Sequence, residues 1–223
     1  MEPWRTACER ALRSHSEADA IAAWGFARTT PEGPRPVFDY RYEHTFAAVK
    51  LSRWLAPLVG ADLEVVECAA WLHDVRKRMK DKQGKDRHAQ EASAAVPRIL
   101  EGTDFPAGKI PAVQHAIAHH VGLRLARPLE PVETAALWDC DKLSKLGAAS
   151  LVHYAGIAGA HQPFDTGDVL GRGESWLPLA EGIAASMNTA PARLEAARRL
   201  AFLRQHYAQL RREWQEPMEA CPG

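Results

Sequence analysis

Histidine and carboxylate side chains stand at five places in this chain where apolar helices would not tolerate them without a partner. His44 falls in the segment RYEHTFAAVKLSRWLA, and His73-Asp74 end the apolar run LEVVECAAWLHDV. His88 opens HAQEASAAVPRIL, and His115, His119 and His120 crowd the end of IPAVQHAIAHHVG. Asp139 and Asp141 interrupt AALWDCDKL. A buried, uncompensated charge is costly, so these groups need hydrogen bonds, counter-charges or a shared cation. A divalent ion satisfies carboxylate and imidazole together. Neighbouring helical residues point about 100° apart, so His73 and Asp74 cannot complete such a site alone. Other helices must supply the remaining donors, as in metal sites inside helical bundles. Each residue also has a plainer role. Asp141, for instance, precedes Lys145 by four residues, the spacing of a helical ion pair.

The elements that would carry these residues read as helices between Pro/Gly loops, with no sustained period-two alternation that demands a sheet. The pattern predicts a helix over 3–27, broken by TTPEGPRP at 29–36, and a second over 39–59 ended by Gly60. Asp62 is placed to cap a third, the most apolar and so the central one. A basic loop at 76–87 follows, with seven basic and two acidic residues. A fourth helix starts at His88, with a kink expected at Pro97. A fifth ends near Gly122. A sixth starts at 131 and is expected to continue past Gly147. A loop is expected over 159–173, then a short helix over 174–186. A long final helix is opened by Asn188 or Thr189, with Pro191 in its first turn. The expectation is all-α: one helical bundle of about eight helices. Residues 1–38 pack on a core of 39–158, and 159–223 complete the same domain. Trp54, Trp71, Trp138, Trp176 and Trp214 are read as packing residues, and His15, His153, His161 and His206 as structural or exposed.

Composition narrows the partners. Lys+Arg and Asp+Glu balance at 28 each, which argues against a general nucleic-acid or membrane-surface binder. No apolar run approaches the length of a membrane span, and the polar N-terminal segment lacks a signal-peptide core. Cys8, Cys68, Cys140 and Cys221 form no CxxC pair. That usage fits a reducing compartment and gives no structural zinc site, so the expected location is the cytoplasm.

The ordered set His44, His73-Asp74, Asp141, with the intermediate HAQEASAAVPRIL and HAIAHHVG, resembles the HD superfamily of metal-dependent phosphohydrolases. The likeness covers about 40–150. It extends less specifically to MNTAPARLEAARRLAFLRQHY, which is similar to the tail of bacterial HD proteins. The resemblance implies a helical fold holding one or two divalent ions, with Mn, Fe, Co, Ni, Mg and Zn all compatible. By the same resemblance His44, His73, Asp74 and Asp141 are the ligands. Asp141 is preferred to Asp139 because a basic and an apolar residue follow it. His88 and His120 match the extra ligands of two-metal members, with His119 a lesser candidate. Relatives read His-Asp-Ile-Gly-Lys where this chain reads His73-Asp74-Val75-Arg76-Lys77, so the lysine is kept and the glycine is not. The implied activity is hydrolysis of a phosphate ester or anhydride of a nucleotide or small phosphorylated metabolite. Ion-bound water would be the nucleophile, oriented by Asp74, with Lys77 reaching a phosphate oxygen and the basic loop drawing the anion in. The alternative is an HD-fold di-iron oxygenase using the same six ligands. VGLRLARPLEP lacks the Gly-Tyr-Pro signature of the family's cyclic-dinucleotide subgroup.

Overall fold

Helix α1 (Trp4–Trp24) buries Trp4, Cys8 and Leu12, an i, i+4, i+8 stripe, against the rest of the chain. The computed structural model describes residues 1–24, 27–31, 33–79, 87–161 and 165–215. Asp39 starts α2 (Tyr40–Val59). Its carboxylate accepts from the Tyr42 N–H at 3.0 Å and from the Ser16 hydroxyl at 2.6 Å, which ties α2 to α1. Gly60 ends α2 in the left-handed region (φ 70°), where a side chain would be strained. Asp62 then caps α3 (Leu63–Leu72), accepting from the Glu64 and Val65 N–H groups. Every residue from 65 to 75 is buried, as a helix apolar on all sides requires. The chain continues through α4 (His88–Leu100), a single 3-10 turn (Ala107–Lys109), α5 (Ile110–Ala118), α6 (Val132–Leu143), α7 (Ala148–His161), α8 (Thr166–Ala185) and α9 (Ala190–Gln215).

Two apolar clusters hold these helices together. One joins α1, α3, α4 and α5 through Trp4, Leu12, Trp71, Val96 and Ile117. The other joins α2, α6, α8 and α9 through Leu55, Trp138, Leu170, Ile183 and Leu203. Helix α3 feeds both, with Val65 in the first and Val66 in the second. The polar residues singled out above lie on the elements that meet between these clusters.

The fold is all-α, as the pattern predicts, with four local corrections. A short antiparallel hairpin, β1 (Ala27–Thr30) with β2 (Gly33–Pro36), replaces the expected simple break. Four-residue strands carrying Pro34 and Pro36 show no alternation to read, and proline gives the ladder no N–H. The predicted sixth helix is two. Gly147 takes φ 80° between α6 and α7, and a Cβ there would lie 3.0 Å from the Arg199 side chain, so the described residues form nine α-helices rather than eight. The loop expected over 159–173 is largely helix, because Asp165 and Asp168 form a capping box that starts α8 at Thr166. Its glycines mislead, since Gly173 is needed for close packing: a Cβ there would fall 1.9 Å from the Tyr207 ring of α9. Finally, Trp71 and Trp138 are buried and Trp176 is half-buried, but Trp54 and Trp214 are exposed. Helix α4 runs through Pro97 to Leu100. Residues 80–86 of the basic loop, and Cys221, lie outside the described residues.

Candidate metal centre

Six residues from five helices converge. His44 comes from the first turns of α2, His73 and Asp74 directly follow α3, and His88 is the first residue of α4. His120 lies two residues past α5, and Asp141 near the end of α6. All six are buried. His44 Nε2 lies 3.0 Å from Asp141 Oδ1, and His73 Nε2 lies 3.9 Å from that atom and 3.8 Å from Asp74 Oδ2. His88 Nε2 and His120 Nε2 lie 3.5 and 3.6 Å from Asp74 Oδ1. Donor atoms of His44, His73 and Asp141 fall within 4.8 Å of one another, and so do those of His73, Asp74 and His120. His73 is common to both groups.

The imidazoles are oriented from behind. His73 Nδ1 meets the Ala70 carbonyl at 2.7 Å, and His120 Nδ1 meets the Ile117 carbonyl at 2.6 Å. A carbonyl only accepts, so each ring carries its proton on Nδ1 and leaves the Nε2 lone pair free. His44 Nδ1 lies 2.7 Å from Ser144 Oγ, whose own proton goes to the Asp141 carbonyl at 2.7 Å. Ser144 therefore accepts from His44, and the same tautomer results. This is the arrangement by which proteins fix metal-binding histidines. Burial depresses the basicity of His44, to a pKa of about 3, and Lys145 adds to that. Burial also takes His73 to about 4, so both rings are neutral at ordinary pH.

The carboxylates stay charged for the opposite reason. Burial alone would raise Asp74, but Lys77 and then Arg41 outweigh it and hold the carboxyl well below its usual range. Burial opposes Asp141 likewise, and Lys142 and Lys145 outweigh it. Lys77 Nζ donates to Asp74 Oδ2 at 3.0 Å, and Arg41 lies 3.8 Å from that oxygen. Lys142 bonds Asp141 Oδ2 and donates to the His120 carbonyl. Lys145 Nζ sits 2.9 Å from Asp141 Oδ1 and 2.9 Å from His44 Nε2. The centre is thus a pair of anions beside the neutral imidazoles of His44 and His73, ringed by four cations.

His73 Nε2 and Asp74 Oδ1 are buried without a hydrogen-bond partner, and Asp141 Oδ1 is paired with the Lys145 ammonium at 2.9 Å. Buried atoms without a partner cost about 1–3 kcal/mol each, and these belong to one cluster of oxygen and imidazole donors. That donor set fits a divalent cation of the hard or borderline kind.

Not every sequence candidate joins this cluster. His119 is exposed, its Nδ1–H bonds the His115 carbonyl at 2.8 Å, and its ring packs on His115 at 4.2 Å between centroids. Asp139 faces away and accepts four bonds from Asn188 and Thr189 at the start of α9, so its partners are a helix end and not a basic side chain. Sequence reasoning missed Arg41 and Ser144, and gave Lys145 only an ion-pair role. Their spacing carried the signal, since Arg41 lies three residues from His44, and Ser144 and Lys145 lie three and four past Asp141. His153, read as structural, stands beside Tyr40 at 5.9 Å between ring centroids. Tyr40 in turn stacks on His44 at 5.6 Å.

The HD domain family matches residues 41–150, the stretch that contains all six converging residues. Several solved structures share the fold. Bacillus subtilis YpgQ in complex with ADP is 23% identical, with a TM-score of 0.55 over 78% of this chain and 89% of that one. A predicted HD superfamily hydrolase from an uncultured Thermotogales bacterium is 19% identical, with a TM-score of 0.60 over 95% and 94%. An HD-superfamily hydrolase from Bacillus thuringiensis is 20% identical, with a TM-score of 0.58 over 96% and 100%. A comparison with curated proteins finds no match. No described helix is long and apolar enough to cross a membrane. Sequence and architecture agree on one assignment: residues 41–150 are an HD domain, and the chain has the fold of the HD-superfamily hydrolases.

Proposed function

We propose that the chain is a metal-dependent phosphohydrolase that cleaves a phosphate ester or anhydride of a nucleotide or small phosphorylated metabolite. The observation that carries this reading is the inward set of buried donor atoms, with His73 Nε2 and Asp74 Oδ1 lacking hydrogen-bond partners and Asp141 Oδ1 beside them, next to imidazoles whose Nδ1 atoms are already committed. His44, His73, Asp74 and Asp141 would hold a divalent ion, and His88 and His120 would complete the set for a second. Such an ion, when bound, would supply Lewis acidity and a low-pKa water. Phosphoryl transfer otherwise asks for positioning and charge neutralisation, and this chain's residues are suited to both. Lys77, 38% exposed at the rim and bonded to Asp74, binds a phosphate oxygen. Asp74, held through Oδ2 by Lys77, orients the attacking water. Arg41 and Lys142 keep the two carboxylates ionised. The nucleotide part of the reading is supported by YpgQ having been solved with ADP.

The test is a screen of nucleotides and phosphate monoesters with Mn, Co, Ni, Mg, Fe and Zn, alongside metal analysis of protein purified without chelator. Phosphate release that depends on added metal is the expected result. Bound metal with no phosphate release from any member of the panel, or oxygen-dependent turnover with iron alone, would overturn it.

A further inference from the structure

A cavity of about 240 Å³ opens beside the metal centre, walled by α2, α7, α8 and α9. Its lining is mainly apolar and aromatic, with Tyr40, His153, Tyr154, Trp176 and Tyr207 contributing. Three of its residues touch the ligand set directly, among them Ser144, whose Oγ lies 2.7 Å from His44 Nδ1. Tyr40 stacks on the His44 ring with 16° between the planes, and Lys145 Nζ lies 2.9 Å from both His44 Nε2 and Asp141 Oδ1. The cavity and the centre are therefore adjoining compartments with Lys145 at their boundary.

Three properties say what the cavity takes. Its volume is below the roughly 300–1,000 Å³ of sites that enclose a whole drug-sized ligand, so it accepts part of a molecule. Aromatic faces favour a flat ring, because any π-face can stack on them. The cation at the boundary sets where the ligand's anionic part lies.

We infer that this cavity binds the flat heteroaromatic ring of the phosphorylated substrate, with Lys145 contacting the phosphate that links the ring to the metal centre. The substrate class is then a ring-bearing phosphate such as a nucleotide, and the discrimination against ringless sugar phosphates resides in α7–α9. This deepens the proposed activity and rests on it for the phosphate half only.

The experiment reads binding rather than turnover. Chelator-treated protein is titrated calorimetrically with AMP, GMP, CMP and UMP, with ribose 5-phosphate as the control lacking a base. At least one mononucleotide should bind about tenfold or more tightly than ribose 5-phosphate, the scale of one base stacked on aromatic side chains. Trp176→Ala should erase that margin and leave ribose 5-phosphate affinity as it was. Trp176→Leu, which keeps an apolar side chain but no π-face, should shrink the margin about threefold or more and serves if Trp176→Ala does not fold. Lys145→Met should weaken the mononucleotide and ribose 5-phosphate alike, without changing adenosine binding. The inference is overturned if no mononucleotide outbinds ribose 5-phosphate, or if Trp176→Ala and Trp176→Leu weaken both ligands equally or neither. Ring selectivity without phosphate release under any metal would sink the hydrolase reading and leave the cavity standing. Metal-dependent hydrolysis indifferent to the ring would do the reverse.

Discussion

Asp139 and Asp141 lie two residues apart on α6, both buried, and they do opposite things. Asp139 accepts from the Asn188 N–H, the Asn188 side chain, the Thr189 N–H and the Thr189 hydroxyl, all between 2.7 and 2.9 Å. It spends its accepting capacity on the start of α9. Asp141 faces Lys142 and Lys145, and its Oδ1 lies 3.0 and 3.9 Å from the Nε2 atoms of His44 and His73. A carboxylate whose partners are the N–H and hydroxyl groups of a helix end fastens two elements, whereas one set among imidazole donors can share a ligand with them. Residue type and burial alone do not separate the two cases; the partners do.

The largest effect should fall on Asp141. Asp141→Asn is expected to take metal content to background, read by elemental analysis, and turnover with it; a variant that keeps both would break the contrast. Ser144→Ala removes the group that holds His44 Nδ1, and metal affinity in a competition titration should fall about tenfold to a hundredfold. Asp139→Asn turns one acceptor into a donor facing the Thr189 donors. It should cost about 2 kcal/mol in chemical denaturation while metal content stays unchanged. If the folded variant loses metal, the division of labour on α6 is wrong. Glu67 is a third buried carboxylate, held by Arg5 at 2.8 Å and Arg53 at 2.7 Å. Burial would raise its pKa, but the two guanidiniums outweigh burial and lower it. A lowered carboxyl stabilises the fold above its unfolded value of 4.5 and loses that contribution as pH falls through the folded value. Because both arginines are about half exposed, Glu67→Gln should cost only about 1 kcal/mol at neutral pH, and the gap to wild type should close as the pH is taken well below 4. Smallest of all, His119→Ala should leave metal content unchanged, while His120→Ala lowers it.

Most of the site could be read from the sequence because its members are chemically conspicuous: a histidine or aspartate in an apolar helix needs a reason. His44, His73, Asp74, His88, His120 and Asp141 all carried that mark, and all six meet. Lys145, Ser144 and Tyr40 did not, since lysine, serine and tyrosine on a helix are ordinary and gain meaning only from what stands across from them. The helices were legible where caps and periodicity agreed, as from Asp39 to Gly60. They failed where glycine served packing rather than punctuation. Gly173 looked like loop, yet its missing side chain is what α8 needs against Tyr207. The hairpin at 27–36 was hidden by its brevity and its prolines.

Gly173 and Tyr207 both line the aromatic cavity, and no methyl group fits between them. The spacing of the last two helices is therefore set by a single absent carbon. Any residue larger than hydrogen at that point acts as a wedge whose displacement arrives at the cavity wall. Width there can be tuned from α8 and α9, without altering any of the six residues that converge on the candidate metal centre.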